Sequence, residues 1–89
     1  MSFAGKVIWI TGASSGIGEA LALALSQAGA QLILSARRES ELERVRQACQ
    51  DPQRHLVLPL DMSDFDAVSQ SVDIAKSWSS RLDLSLIHI

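Results

Sequence analysis

At 89 residues the chain has room for one domain. A formal net charge of −2 speaks against a nucleic-acid surface, and no apolar run approaches the length that crosses a bilayer. Cys49 is the only cysteine, which excludes an intrachain disulfide and fits a reduced, cytoplasmic setting; residues 1–6 lead into no secretory apolar stretch.

Residues 7–11 form a near-continuous apolar run, the pattern of a parallel strand buried on both faces. Residues 11–18 read Thr-Gly-Ala-Ser-Ser-Gly-Ile-Gly and open a helical stretch. Its spacing predicts one apolar stripe of Ile17, Ala20, Leu21, Ala24, Leu25 and Ala28, with Gly29 closing the helix in a left-handed turn. Residues 31–36 read as strand two. Ser40 and Glu43 match a capping box, so a second helix is expected to start near Ser40, burying Leu42, Val45 and either Cys49 or Ala48. Glu41 with Arg44 and Glu43 with Arg46 form i, i+3 pairs worth about 0.2–0.5 kcal/mol each. After a turn at 51–53, residues 55–60 read as strand three. Pro59 cannot donate to a ladder, which puts this strand at a sheet edge or Pro59 at its end. Ser63 is the expected N-cap of a third helix, with Asp64 and Asp66 at its positive end and a stripe of Phe65, Val68, Val72, Ala75 and Trp78. Residues 81–84 begin strand four. The order βαβαβαβ predicts an α/β, doubly wound parallel sheet with right-handed crossovers.

A strand that turns on glycines into a helix is a phosphate-binding device, because the helix start offers unpaired N–H groups and a positive dipole end. Gly12, Gly16 and Gly18 are read as a dinucleotide pyrophosphate cradle, with Ser14, Ser15 and Ile17 adding hydroxyl or backbone contacts; the other reading is a tight turn whose glycines serve only packing. Strand two ends in Ala36-Arg37-Arg38 rather than in the carboxylate that binds ribose hydroxyls. A guanidinium binds a 2′-phosphate that a carboxylate would repel, so NADP(H) is favoured over NAD(H), against the alternative of solvated loop charges. Asp61 and Met62 close strand three on the same sheet edge, where Asp61 either binds the adenine amino group or shapes a turn. Cys49 and Trp9 read as core, and Trp78 as core or subunit surface. His55 and His88 have no partner at metal-like spacing, so no metal site is assigned.

Residues 11–18, 35–38, 61–63 and 82–83 together resemble the short-chain dehydrogenases/reductases over residues 6 to 84. The resemblance implies a Rossmann-type sheet with strand order 3-2-1-4 and hydride transfer between NAD(P)(H) and a small-molecule carbonyl or alcohol, with a homo-oligomer as one possible assembly. Gly12, Ser14, Ser15, Gly16, Ile17 and Gly18 match the family's cofactor loop, and Asp61 with Met62 its adenine pocket. Ala36 falls where NAD-preferring members carry Asp, and Arg37 where NADP-preferring members carry a basic residue. Ser15 falls where many of the latter carry a second one. The family continues into Asn-Asn-Ala-Gly and later Tyr-x-x-x-Lys, whereas this chain reads Ser85-Leu86-Ile87-His88-Ile89 and contains no tyrosine. Residues 1–83 are therefore expected to be the N-terminal part of the cofactor-binding domain, without catalytic residues and inactive alone. Residues 84–89 resemble the translation of a sequencing adapter, the alternative being a genuine strand four. A non-catalytic NAD(P)-sensing module is the competing functional reading.

Overall fold

The computed structural model describes residues 2–79 and 83–88. Strands β1 (Lys6–Thr11), β2 (Gln31–Ser35), β3 (Leu56–Val57) and β4 (Asp83–His88) alternate with helices α1 (Gly16–Gln27), α2 (Glu39–Ala48) and α3 (Phe65–Ser79), and a 3₁₀ turn spans Pro52–Arg54. The expected start of strand four at Arg81 and Leu82 lies outside the described residues, as does Ile89. Every strand pair is parallel, as the alternation of elements predicts, and the sheet order is β3-β2-β1-β4, the order that the family resemblance implies. Val7 pairs with Gln31 on one side and Leu84 on the other.

Side chains alternate across the sheet and build two cores. Ile8, Ile10, Leu32 and Leu34 pack against Ala22 and Leu25 of α1 and Leu42 and Val45 of α2. Val7, Trp9 and Ile33 face the other way, onto Ala75 of α3 with Val68, Val72 and Trp78. Both faces of β1 and β2 are thus covered, which is why their sequences are apolar without alternation. Trp9 brings a polar edge into this core, and its indole N–H donates to Ser35 Oγ at 2.8 Å. Cys49, expected on the apolar face of the second helix, lies one residue past the end of α2 in extended backbone and is buried there; desolvation pushes its thiol pKa up.

The expected face of α1 is rotated. Ile17, Ala20 and Ala24 are exposed, whereas Gly18, Ala22, Leu25 and Ser26 are buried. An Ala-rich helix offers apolar residues all round, so spacing alone leaves its rotation open; the contact of Gly18 with the preceding turn sets it. The helix closes as predicted. Gly29 takes φ +97, Ala30 N–H donates to Leu25 O (3.0 Å) and Gly29 N–H to Ser26 O (3.1 Å), the paired bonds of a Schellman ending.

Two cap assignments are corrected. The Ser40 capping box does not form. Helix α2 starts at Glu39, and Glu43 accepts from Arg46 and Gln47 instead. In α3 the cap is Asp64, whose carboxylate accepts from Ala67 N–H at 3.1 Å, while Ser63 turns back to Asp61. Starting the helix one residue later leaves Phe65 at its first position and 86% exposed, outside the expected stripe. Both i, i+3 pairs form, and Arg44 also bridges to Glu19, tying α2 to α1 and holding the Glu19 carboxyl below its usual pKa range.

Strand three is shorter than expected, yet its backbone keeps pairing. Leu58 N–H donates to Leu34 O and Leu60 N–H to Ala36 O, both at 2.9 Å. Donors alternate along a strand, so the N–H that Pro59 lacks falls on the free edge of the sheet. This carries the chain past β3 to Asp61 at the sheet rim.

His55 is buried at the opposite end of the sheet. Its Nδ1 accepts from Leu32 N–H (3.1 Å) and its Nε2 donates to Gln50 O (2.7 Å), an arrangement only the neutral ring can make. Burial holds its pKa below the ordinary 6.5. The unfolded chain therefore takes up this proton first, and the stabilisation is complete above pH 6.5 and fades as pH falls below it. Urea midpoints at pH 7.5 and 5.5 are expected to differ more for the parent chain than for His55→Gln; equal differences would refute this assignment.

Candidate functional site

Parallel strands bring their C-terminal ends to one rim, where the segments after β1, β2 and β3 enclose an open cleft of about 680 Å³. Gly12, Ser14, Ala36, Arg37, Arg38, Leu60, Asp61, Met62, Ser63 and His88 line it. Six of the residues read from the sequence as ligand contacts are thus brought together: Gly12, Ser14, Arg37, Arg38, Asp61 and Met62. Ser15, Gly16, Ile17 and Gly18 stand beside the cleft, at the start of α1.

The turn after β1 is anchored to β2. Gly12 and Ala13 N–H groups both donate to Ser35 O, at 2.8 and 3.1 Å, and Gly12 takes φ +76, a conformation that favours glycine. Ser15 donates twice to Gly12 O, through its N–H (3.2 Å) and its hydroxyl (2.9 Å). That hydroxyl makes no capping bond to α1. The first bond into the helix runs from Glu19 N–H to Ser15 O at 2.7 Å, so Gly16, Ile17 and Gly18 hold the orphan donors of the helix start. These donors and the helix dipole suit an anion.

The three motif glycines do different work. A Cβ on Gly18 would lie 2.1 Å from Gly12 O, so this glycine lets helix and turn touch. A Cβ on Gly16 would meet nothing within 4 Å, and Gly16 has no positive φ. The chain's own packing therefore makes no demand for glycine at position 16; the open volume over the helix start is what a pyrophosphate approaching the backbone requires. Ile17 beside it is 73% exposed. The residues present fit a dinucleotide phosphate. Gly16→Ala is expected to stabilise the fold by about 0.4–1 kcal/mol, because alanine restricts the unfolded chain and can adopt the backbone conformation here, while weakening dinucleotide binding. Urea unfolding and calorimetric titration of the same protein check both halves, and unchanged affinity would remove Gly16 from the site.

Across the cleft, Arg37 Nη2 lies 3.6 Å from Asp61 Oδ1, an ion pair open to solvent. The same Oδ1 accepts from the Ser63 hydroxyl (2.7 Å) and N–H (2.9 Å). The Ser63 hydroxyl above all, then its N–H, and to a lesser degree Arg37, hold the Asp61 carboxyl below the usual range. Arg38 is extended just before α2, where its carbonyl accepts from Leu42 N–H at 3.2 Å. Met62 is half-exposed at the mouth.

Leu60, Ser63 and His88 were not picked out from the sequence as cleft residues. Ser63 carried a usable signal, since a serine two residues after an aspartate is the spacing of an Asx turn. His88 carried none; the β4 register sets Thr11 opposite it, with Thr11 Oγ1 2.6 Å from His88 Nδ1. Among the described residues no three His, Cys, Asp or Glu side chains group as a metal site, and no helix is long and apolar enough to cross a membrane.

The short chain dehydrogenase family model matches residues 6–87. The chain is 56% identical over 83 residues to "Dehydrogenase/reductase SDR family member 7" of Mus musculus, covering 88% of this chain and 25% of that protein. It superposes on a hydroxysteroid dehydrogenase from Escherichia coli with a TM-score of 0.86 at 26% identity, covering 98% of this chain and 37% of the other. A 3-ketoacyl-(acyl-carrier-protein) reductase from Brucella melitensis, solved in complex with NADH, gives a TM-score of 0.81 at 34% identity over 93% of this chain and 34% of its own. The chain belongs to the short-chain dehydrogenase family, whose fold implies NAD(P) binding. It spans about a quarter of the length of the curated relatives it matches.

Proposed function

We propose that this chain is the cofactor-binding portion of an NADP(H)-dependent oxidoreductase acting on a small-molecule carbonyl or alcohol. Bound there, the cofactor supplies a nicotinamide ring that carries hydride. The chain's own residues bind and orient. The α1 start and the Gly12 turn receive the pyrophosphate, with Gly16 leaving room for it. Asp61 and Met62 flank the adenine, and Arg37 with Arg38 faces the ribose 2′ position. None of these groups takes part in proton transfer, so the chain alone binds cofactor without turning over substrate.

The observation that carries the NADP(H) reading is the end of β2. Ser35 O holds the Gly12 turn; the next residue on the rim is Ala36, where an NAD site would present a carboxylate, and Arg37 follows it. No acidic side chain follows β2 before Glu39, at the start of α2. Calorimetric titration of the 89-residue chain with NADP⁺ and NAD⁺ tests it. The expected result is NADP⁺ binding tighter by about tenfold or more, equivalent to about 1.4 kcal/mol. Equal affinities would exclude the preference, and failure to bind either would exclude the site.

A further inference from the structure

Two opposite charges share one wall of the cleft. The Arg37 side chain is 76% exposed, and its guanidinium pairs with Asp61, 3.6 Å away. Asp61 is not free to swing aside, because both Ser63 hydrogen bonds converge on its Oδ1. A phosphate oxygen taken up by the guanidinium at about 2.8 Å would stand within about 7 Å of that carboxylate. This is shorter than the screening length of about 8–10 Å near physiological salt, so the repulsion survives in solution. A sugar phosphate monoester carries roughly −1.5 to −2 charges at neutral pH, whereas a ribose hydroxyl in the same place carries none. The attraction between Arg37 and Asp61 is that of an exposed pair and contributes little towards holding the guanidinium in place.

We propose, building on Arg37 as the 2′-phosphate ligand, that Asp61 is a specificity-determining residue whose carboxylate limits how strongly this chain prefers a dinucleotide bearing that phosphate. Its position serves the adenine end of either cofactor equally, and its charge opposes only the phosphorylated one. The cleft is therefore tuned to moderate rather than exclusive preference, with Arg37 setting the sign and Asp61 the ceiling.

The test is the ratio of NADP⁺ to NAD⁺ affinity in the parent chain, D61N and R37A. Asparagine keeps an oxygen acceptor for Ser63 and removes the charge, and any lost adenine contact cancels in the ratio. D61N is expected to raise the ratio by about three- to tenfold, an excess that shrinks as sodium chloride is raised; a purely structural role would produce neither effect. If D61N loses the helical far-UV spectrum, Asp61→Ser carries the same comparison. A ratio in the charge-neutral variant that is unchanged or lower than in the parent overturns the role of Asp61. Should R37A also leave the ratio unchanged, the assignment of Arg37 fails instead; a ratio that R37A collapses and D61N does not move sinks only the inference about Asp61.

Discussion

Gly18→Ala is expected to cost about 3 kcal/mol of folding stability, at the upper end of what overpacking by one methyl group does. The added Cβ would stand 2.1 Å from Gly12 O, 2.9 Å from Gly12 C and 3.0 Å from Ala13 Cα. All three are backbone atoms, so no change of rotamer relieves the clash. The turn cannot retreat easily either. Gly12 and Ala13 both donate to Ser35 O, and Ser15 closes on Gly12 O from the other side. Relief therefore requires α1 to lift from the sheet, uncovering Ala22 and Leu25 from the core they share with Ile8, Ile10, Leu32 and Leu34. Domains are typically stable by only about 5–15 kcal/mol, so a loss of this size is a large share of the total. Urea unfolding followed by far-UV circular dichroism checks it. Gly16→Ala two residues away is the matched control, because its Cβ meets nothing. If the two alanine variants unfold at the same urea concentration, packing is not what requires glycine at position 18.

Arg37→Ala is expected to weaken NADP(H) binding by about 1.5–3 kcal/mol, the scale of a charged hydrogen bond, and to leave NAD(H) within a few tenths. The lower figure is the nearer one, since the side chain is 76% exposed and water screens part of its charge. The variant loses the cation and also leaves Asp61 facing the ligand with no compensating charge. Arg37→Lys should recover part of the affinity, because an ammonium supplies the charge without the planar, bidentate fork. Titration of both cofactors against parent and variants gives the comparison. Equal weakening of NADP(H) and NAD(H) would make Arg37 a general contributor to the cleft rather than the reader of the 2′ position.

Much of the architecture was legible in the residues themselves, because its signals are local. The apolar run at 7–11 marked a strand buried on both faces, residues 31–36 a second strand, and their alternation with helices called for the parallel pairing observed. Gly29 marked the end of α1, and Glu41–Arg44 and Glu43–Arg46 found each other across a single helical turn. The glycine turn and the Ala36–Arg37 pair were readable for the same reason, since each lies within a few residues at the end of one strand.

What stayed hidden depends on residues far apart in the chain. Periodicity shows which α1 positions share a face but not which way that face turns; the contact of Gly18 with Gly12 decided it and left Ile17, Ala20 and Ala24 outside. A one-residue shift of the cap to Asp64 moved Phe65 into solvent. The pairing of Arg37 with Asp61 spans two strand ends, and the ring of His55 reaches a backbone N–H on β2. Local sequence selects the elements and their order because hydrogen bonds and apolar burial act there over short distances. The rotation of a helix, the separate duties of Gly16 and Gly18, and the charge balance of the cleft are settled only when packing brings distant segments within a few ångströms.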